Sequence, residues 1–146
     1  MSEDHLAWLA QAGLTPSVHR TLVELDEFLW SGSFDPVLME LVRLRAAQLL
    51  GVEGELARRT PAALTAGLDE TLVAELPQWP SSSRFDERTR AAIGWSEQWL
   101  LDVRGITDAD AARLQELFAP DELAALTMAV AVFEMIIRAR GALAAA

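Results

Sequence analysis

Apolar residues recur along the chain at intervals of three and four positions, which is the spacing of amphipathic α-helices. No segment alternates apolar and polar residues with the period of two that is typical of a β-strand. The helical pattern is clearest near the C-terminus, in Leu123, Leu126, Val130, Phe133 and Ile137. The pattern therefore predicts an all-α protein.

Proline and glycine residues mark the ends of the predicted helices, because proline is favoured in the first turn and glycine just after the last turn. The predicted helices cover residues 16–30, 36–50, 53–66 with an interruption at Thr60 and Pro61, 69–76, 86–103, 108–118 and 121–139. The longest loop, 77–83, is too short to separate two domains. We therefore expect one compact bundle of six to seven helices, in which residues 1–34 form a helical extension to a domain that spans 35–146.

The helix predicted over 121–139 is apolar on nearly all of its faces. Such a helix belongs in the centre of a bundle or in a subunit interface, and the neighbouring helices have polar sides of their own. We therefore expect a homo-oligomer. Glu134 and Arg138 lie four residues apart on this helix. We interpret them as a buried ion pair or an intersubunit contact, with a place in a ligand pocket as the alternative.

The composition excludes several classes of function. The chain has 146 residues, with 12 cationic side chains, all of them arginine, against 22 acidic ones, and a net charge of −10. This charge opposes binding to nucleic acid or to an anionic membrane surface. Without lysine there is no Schiff-base chemistry, and without cysteine there is no thiol nucleophile, disulfide, zinc–thiolate site or Fe–S cluster.

Signals for targeting and for metal binding are also missing from the sequence. The N-terminal segment is acidic, unlike a signal peptide, and the longest apolar run is too short to span a bilayer. We therefore expect a cytoplasmic protein that does not enter a membrane. His5 and His19 are 14 residues apart and match no metal-ligand spacing. We interpret both as surface or helix-end histidines, and we expect neither a metal nor another cofactor.

One stretch, residues 40–69, reads ELVRLRAAQLLGVEGELARRTPAALTAGLD. Glu40 leads an amphipathic helix and stands twelve residues before Val52, and Gly51 marks a tight turn. The stretch resembles the carboxymuconolactone decarboxylase and alkylhydroperoxidase D-like families, whose pattern is a Glu-led helix, a glycine turn, the motif CxxCxxxH and a helix that ends at Gly. The resemblance extends over residues 35–140. It implies an alkylhydroperoxidase D-like helical fold and an oligomer, either a dimer or a trimer of dimers.

The reactive residues of those families are replaced in this chain. The two cysteines fall on Val52 and Glu55, and the histidine falls on Arg59, eight residues before Gly67. In the peroxidase members a thiolate reduces the peroxide, and the second cysteine then closes a disulfide. A chain without cysteine cannot run this cycle, so thiol peroxidase activity is excluded.

Three charged residues of this stretch, Glu40, Glu55 and Arg59, are the candidates for catalysis. By the resemblance Glu40 occupies the proton-relay position and would act as a general base, whereas the simpler interpretation is a surface ion pair with Arg43 three residues later. Glu55 and Arg59 are four residues apart and are predicted to share a helix face. They form either an exposed ion pair, which we favour, or a pocket in which Arg59 binds a substrate carboxylate.

Tryptophan residues in the second half of the chain are candidates for ligand binding. Trp79, Trp95 and Trp99 could form the wall of a pocket for an aromatic ligand. Trp95 and Trp99 share one face of a predicted helix, which is typical of core packing, and we favour that interpretation. Trp79 and Trp95, together with Glu134 and Arg138, are the candidate ligand-binding residues.

Two functions fit these observations. The favoured hypothesis is a family member without thiol peroxidase chemistry that binds a small molecule or a partner protein as a helical oligomer. The alternative is a cysteine-free enzyme that decarboxylates or otherwise processes a lactone, with Glu40 transferring the proton and Arg59 holding the carboxylate. A cavity over Glu40, Glu55 and Arg59 would favour the enzyme, and a filled site would favour the binding protein.

Overall fold

The structure, a computed structural model, describes residues 6–143. Within that range the chain forms nine α-helices and two short 3-10 helices and contains no β-strand, which confirms the all-α class. The α-helices are α1 Trp8–Gln11, α2 Pro16–Trp30, α3 Pro36–Leu50, α4 Glu53–Leu56, α5 Pro61–Thr65, α6 Glu70–Ala74, α7 Glu87–Leu101, α8 Asp108–Leu117 and α9 Pro120–Leu143, and the 3-10 helices are Leu76–Gln78 and Val103–Gly105. None of these helices is long and apolar enough to cross a membrane. His5 lies outside the described residues.

Helices α2 and α3 have the predicted bounds, whereas α7 ends two residues before its predicted end and α9 runs four residues beyond its predicted end. Asp35 caps α3, because its Oδ1 accepts a hydrogen bond from Val37 N at 2.9 Å. Gly51 ends the same helix in the left-handed conformation, with a φ of 68° that favours glycine. Thr107 opens α8 with a reciprocal capping box to Asp110.

The segment predicted to be helical over 53–59 is shorter in the structure. Helix α4 ends at Leu56, and residues 57–60 form a non-helical connection to α5. Pro61 begins α5, and the residue before a proline is disfavoured in the helical conformation, so the chain leaves the helix ahead of it. This early end changes the partners of the charged residues that follow α4.

Helix α3 is the centre of the fold. Nine of its 15 residues are buried, including the charged residues Glu40 and Arg43, and it packs against α7 and α9. The main apolar core surrounds it, with Leu41, Val42 and Ile93 among its fully enclosed members. Charged groups on α3 therefore lie inside the bundle and must find partners there.

Helix α9 is buried on one side only. Of the five apolar positions in the predicted pattern, Leu126, Val130, Phe133 and Ile137 are buried, and Leu123 is partly buried. On the opposite side Met128 and Met135 are 54% and 44% exposed. Within one protomer, the neighbouring helices therefore leave an apolar face of α9 uncovered. A smaller cluster attaches the N-terminal segment to the flank of this helix, through Leu6, Leu9, Val132 and Ile136.

Candidate functional site

A cluster of charged side chains fills the interior where the sequence places the candidate catalytic residues. Glu40 and Glu55 expose none of their surface and Arg43 exposes 1%. Arg43 binds Glu40 with two parallel hydrogen bonds, from Nε to Oε2 at 2.9 Å and from Nη2 to Oε1 at 2.7 Å. This bidentate geometry is the strongest form of an arginine–carboxylate pair.

Glu55 is held by three guanidinium groups. Arg43 Nη1 and Arg58 Nη2 each donate to Oε2 at 2.9 Å, and Arg140 Nη1 donates to Oε1 at 2.8 Å. Burial alone would raise the pKa of Glu55. The charges of Arg58 and Arg43 and the hydrogen bonds from Arg140 and Arg58 outweigh burial, so the pKa of Glu55 lies below its ordinary value. The carboxyl of Glu55 is therefore ionised at neutral pH.

The remaining polar atoms of the cluster are satisfied by Thr60 and by the backbone. Thr60, which is 2% exposed, donates to Glu40 from its backbone N at 3.2 Å and from Oγ1 at 3.0 Å. Arg43 donates to the carbonyl oxygens of Glu55 at 3.1 Å and of Arg58 at 2.8 Å. The two oxygens of Glu40 thus accept four hydrogen bonds in total, and neither needs a further donor.

The local sequence explains how these groups meet. Glu40 and Arg43 are three residues apart on α3, so they share a face of the helix. The turn at Gly51 reverses the chain, and α4 then carries Glu55 back against that face. Gly54 allows Arg140 to approach from α9, since a Cβ at this position would lie only 2.8 Å from the guanidinium carbon. A larger residue at position 54 would displace Arg140 from Glu55.

The predicted pairing of Glu55 with Arg59 is wrong. Because α4 ends at Leu56, residue 59 is not on the helix face of Glu55, and Arg58 takes its place. Arg59 instead forms a bidentate pair with Glu70, at 2.7 and 2.9 Å. The hydrogen bond from Arg59 also lowers the pKa of Glu70. Of the three candidate catalytic residues, the structure brings together Glu40 and Glu55 and leaves Arg59 outside.

Two other ion pairs form as predicted but differ from the expectation in how far they are buried. Glu40 does pair with Arg43, but the pair is fully enclosed and not on the surface. Glu134 and Arg138 pair within α9 at 2.9 Å as their spacing predicts, yet the side chain of Arg138 is 53% exposed, so the pair is not buried in the protomer. Its interpretation as an intersubunit contact stays a prediction.

The three tryptophan candidates are all partly buried against the main core, which agrees with the favoured interpretation of Trp95 and Trp99 as packing residues. Trp79 also donates from Nε1 to Glu97 at 2.8 Å. Trp95 contacts Trp99, with 5.4 Å between the ring centroids. Trp95 also lines a cleft of about 270 Å³ between α7 and α8, which we call the α7–α8 cleft. The other residues of this cleft are Ala91, Gly94, Gln98, Ile106, Asp110, Arg113 and Leu114.

Sequence reasoning missed three members of the buried cluster: Arg58, Thr60 and Arg140. Arg58 and Thr60 could have been considered because they flank the position of the family histidine. Arg140 is 85 residues from Glu55 along the chain, so no local spacing reveals the contact. Among the described residues, no group of three or more histidine and acidic side chains is placed to hold a metal ion.

Geometry limits what the buried cluster can do chemically. Arg58 and Arg140 reach its edge, with side chains that are 14% and 24% exposed. The carboxylates themselves are enclosed, and each of their oxygens is already bonded. A general base must come within hydrogen-bond distance of the proton that it removes. In the structure, neither carboxylate has an exposed oxygen for such a contact.

Known proteins resemble this chain in sequence and in fold. An uncharacterised protein of Mycobacterium tuberculosis, found in two strains, is 32% identical over 95 residues, which are 65% of this chain and 34% of that protein. The chain thus spans about a third of the length of these relatives. A protein of unknown function from Agrobacterium tumefaciens, proposed to be the antioxidant defence protein AhpD, superposes with a TM-score of 0.79 at 19% identity, over 93% of this chain and 94% of the other.

A second solved structure shares the fold. It is an alkylhydroperoxidase AhpD core, an uncharacterised peroxidase-related protein from Ralstonia eutropha, with a TM-score of 0.66 at 14% identity over 88% of this chain and 70% of the other. These likenesses confirm the alkylhydroperoxidase D-like fold. The sequence profile of the carboxymuconolactone decarboxylase family matches residues 16–98, more than half of the chain. The chain therefore belongs to the carboxymuconolactone decarboxylase family, as a member that has no cysteine.

Proposed function

We propose that this protein is a non-enzymatic member of its family, which works as a helical oligomer that binds a small molecule or a partner. The observation that carries the proposal is the burial and complete hydrogen bonding of the Glu40 carboxylate. Its surface is fully enclosed, and its two oxygens already accept four hydrogen bonds from Arg43 and Thr60. A proton-transfer role would require this cluster to open and leave buried charges unpaired, at a cost of several kcal/mol.

The alternative, a cysteine-free decarboxylase, needs Glu40 and Arg59 in one site. Arg59 is bound to Glu70 and also donates to the carbonyl oxygens of Leu56 and Arg58. Arg43, the arginine of the cluster that binds Glu40, already donates five hydrogen bonds, to the two carboxylates and to two backbone carbonyl oxygens. It therefore has no donor left for a substrate carboxylate beside Glu40. Arg58 and Arg140 bind Glu55 instead.

An activity assay tests the non-enzymatic proposal. Purified protein is incubated with tert-butyl hydroperoxide and a dithiol reductant, and separately with carboxymuconolactone, while peroxide and lactone are followed over time. We expect both rates to equal those of buffer, because the chain has no thiol and Glu40 is inaccessible. Turnover that disappears in Glu40→Gln would contradict the proposal and support the enzyme.

The α7–α8 cleft is the proposed small-molecule site. The ring of Trp95 offers a surface for stacking. Polar groups of Gln98, Asp110 and Arg113 also line the cleft, and a ligand would share them with their partners in the protein, which are Asp102, Thr107, Glu87 and Glu116. This combination is suited to a small aromatic molecule with a polar substituent. The other bound partner is a second copy of the chain, which would cover the exposed face of α9.

Binding to the cleft is measured through the indole N–H signals of the five tryptophans in an NMR spectrum. Benzoate, benzylamine and benzyl alcohol serve as anionic, cationic and neutral probes with one shared ring. We expect at least one of them to shift the Trp95 signal. The affinity should fall in Trp95→Ala, followed there through the signal of the neighbouring Trp99, and should fall less in Trp99→Ala, followed through the Trp95 signal. If all three probes leave the Trp95 signal unchanged at millimolar concentration, the cleft is not the site.

A further inference from the structure

The exposed positions of α9 form one continuous stripe. Between residues 121 and 138, the five exposed positions lie along one line of the helix, and a half-buried position, Ala131, completes the same line. None of the remaining positions in this range is exposed. We call these six positions the α9 stripe, and they are Asp121, Ala124, Met128, Ala131, Met135 and Arg138. The four inner members are apolar, and the two ends carry opposite charges.

The spacing of the α9 stripe is that of a helix–helix seam. Successive members are three, four, three, four and three residues apart, which is the alternation found where two helices pack at a small crossing angle. The 18 residues from Asp121 to Arg138 are separated by 17 steps along the helix, which extend about 26 Å along its axis. Nothing in the described chain covers this face, since Met128 and Met135 remain 54% and 44% exposed.

The α9 stripe is complementary to itself when read in the opposite direction. Aligned antiparallel with a copy of itself, Asp121 faces Arg138, Ala124 faces Met135, and Met128 faces Ala131. Each large side chain thus meets a small one, and each charge meets its opposite. A parallel alignment would instead place Met128 against Met128 and Arg138 against Arg138, so only the antiparallel one is complementary.

We propose that two copies of this chain dimerise through the α9 stripe, antiparallel, around a two-fold axis that passes between residues 129 and 130. This assignment rests on the self-association in the proposed function, and it names the surface and its register. The net charge of −10 on each copy opposes association at long range. Contact between Asp121 and the partner's Arg138, made twice by symmetry, offsets that repulsion locally.

The structure provides room for the larger side chains of a second copy. Ala124 and Met128 line a groove of about 350 Å³, and its other apolar walls include Phe28, Leu29 and Phe34. In the antiparallel register the partner's Met135 faces Ala124, so it enters this groove. Phe28, which is 74% exposed on α2, borders the groove and would be covered by the partner.

Arg138 can reach across the interface without losing its own partner. It donates to Glu134 through Nε at 2.9 Å, which leaves the two terminal nitrogens of the guanidinium for another carboxylate. Asp121, in the first turn of α9, is exposed. The pair would therefore form at the rim of the interface, where it sets the register more than the affinity.

Disulfide trapping tests the register. Because the chain has no cysteine of its own, any disulfide must involve the introduced residues. The double variant Ala124→Cys/Met135→Cys is oxidised and analysed on a non-reducing gel, with each single variant as a control. We expect the double variant to become a covalent dimer, because residues 124 and 135 face each other across the axis. The single variants should stay uncrosslinked, since like positions lie about 16 Å apart along the axis, beyond the reach of a disulfide.

Light scattering of the unmodified protein distinguishes two cases: the protein does not self-associate at all, or it self-associates through a surface other than the α9 stripe. A mass of 16.0 kDa, that of one chain, at micromolar concentration would overturn both self-association and this surface. An oligomer whose double variant does not cross-link would overturn the surface alone, and efficient cross-linking of a single variant would overturn the antiparallel register.

A charge exchange provides an independent readout. Arg138→Glu should weaken dimerisation about tenfold, because two symmetric contacts become repulsive. Adding Asp121→Arg to the same chain should restore affinity. Arg104→Glu, an equal change of charge on an exposed turn remote from α9, should leave the affinity unchanged. An exchange variant as weak as Arg138→Glu would contradict the pairing of residues 121 and 138.

Discussion

Replacing Arg43 with methionine is the sharpest test of the buried ion cluster. Arg43 donates five hydrogen bonds, two to Glu40, one to the carboxylate of Glu55, and two to the carbonyl oxygens of Glu55 and Arg58. Methionine keeps much of the side-chain length and adds no clash, so Arg43→Met removes the charge and its donors with little change of volume. Glu40 would keep only the bonds from Thr60.

The expected loss of stability follows from what the variant leaves behind. Removing one partner of a buried ion pair costs about 3–5 kcal/mol, because the remaining charge is enclosed without compensation. Glu55 keeps Arg58 and Arg140, so most of the cost falls on Glu40 and the two carbonyl groups. We expect Arg43→Met to lower the free energy of unfolding by at least about 3 kcal/mol. A domain of this size has about 5–15 kcal/mol in total.

Arg59→Met is the matched control for this measurement. It removes the same side chain sixteen residues later, where Arg59 pairs with the exposed Glu70. We expect it to cost less than about 1 kcal/mol. Both variants are unfolded in urea at pH 7 and at equal protomer concentration, with tryptophan fluorescence and far-UV circular dichroism as probes, because self-association would make the midpoint depend on concentration. Similar losses for the two variants would refute the distinction between buried and exposed pairs.

Two further predictions concern Glu55 and the turn that positions it. The pKa of Glu55 is lowered in the folded state from its ordinary value of 4.5, so its contribution to stability is fully present above about pH 4.5 and is lost as the pH falls toward the folded pKa. Urea midpoints measured between pH 6 and pH 3 should therefore fall less steeply in Glu55→Gln than in the natural protein. Parallel curves for the two proteins would show that another group is responsible. Gly51→Ala should destabilise the folded protein by about 1 kcal/mol through the left-handed backbone alone, since a Cβ at this position would meet nothing within 4 Å. Gly32→Ala is the control, because Gly32 has a similarly open environment without a positive φ. An equal loss of stability in both variants would contradict the conformational explanation.

The sequence predicted those parts of the fold that local chemistry determines. The starts of α2 at Pro16 and of α3 at Pro36 and the turn at Gly51 each depend on a few neighbouring residues, and all three occur as expected. The spacing of Glu40 and Arg43 on one helix also predicted their pair. It did not predict burial, because burial depends on which other helices cover that face.

The errors at the candidate site come from one helix boundary. A spacing of four residues pairs Glu55 with Arg59 only if the helix continues through both, and α4 ends at Leu56. Once the chain leaves the helix, Arg58 turns toward Glu55 and Arg59 toward Glu70. The contact with Arg140 joins segments 85 residues apart. Such partners follow from tertiary packing, which single-sequence periodicity does not contain.

The ion cluster determines what a cysteine at position 55 would do. By the resemblance, the two family cysteines and the histidine would stand at positions 52, 55 and 59. Glu55→Cys would remove the carboxylate that binds both Arg58 and Arg140, and Arg43 would still hold Glu40 in a bidentate pair. Glu40 would stay occupied, and two cations would lose their common partner. The residue at position 55 is thus physically coupled to the arginines around it, because each buried charge of the cluster is tolerated only in the presence of the others.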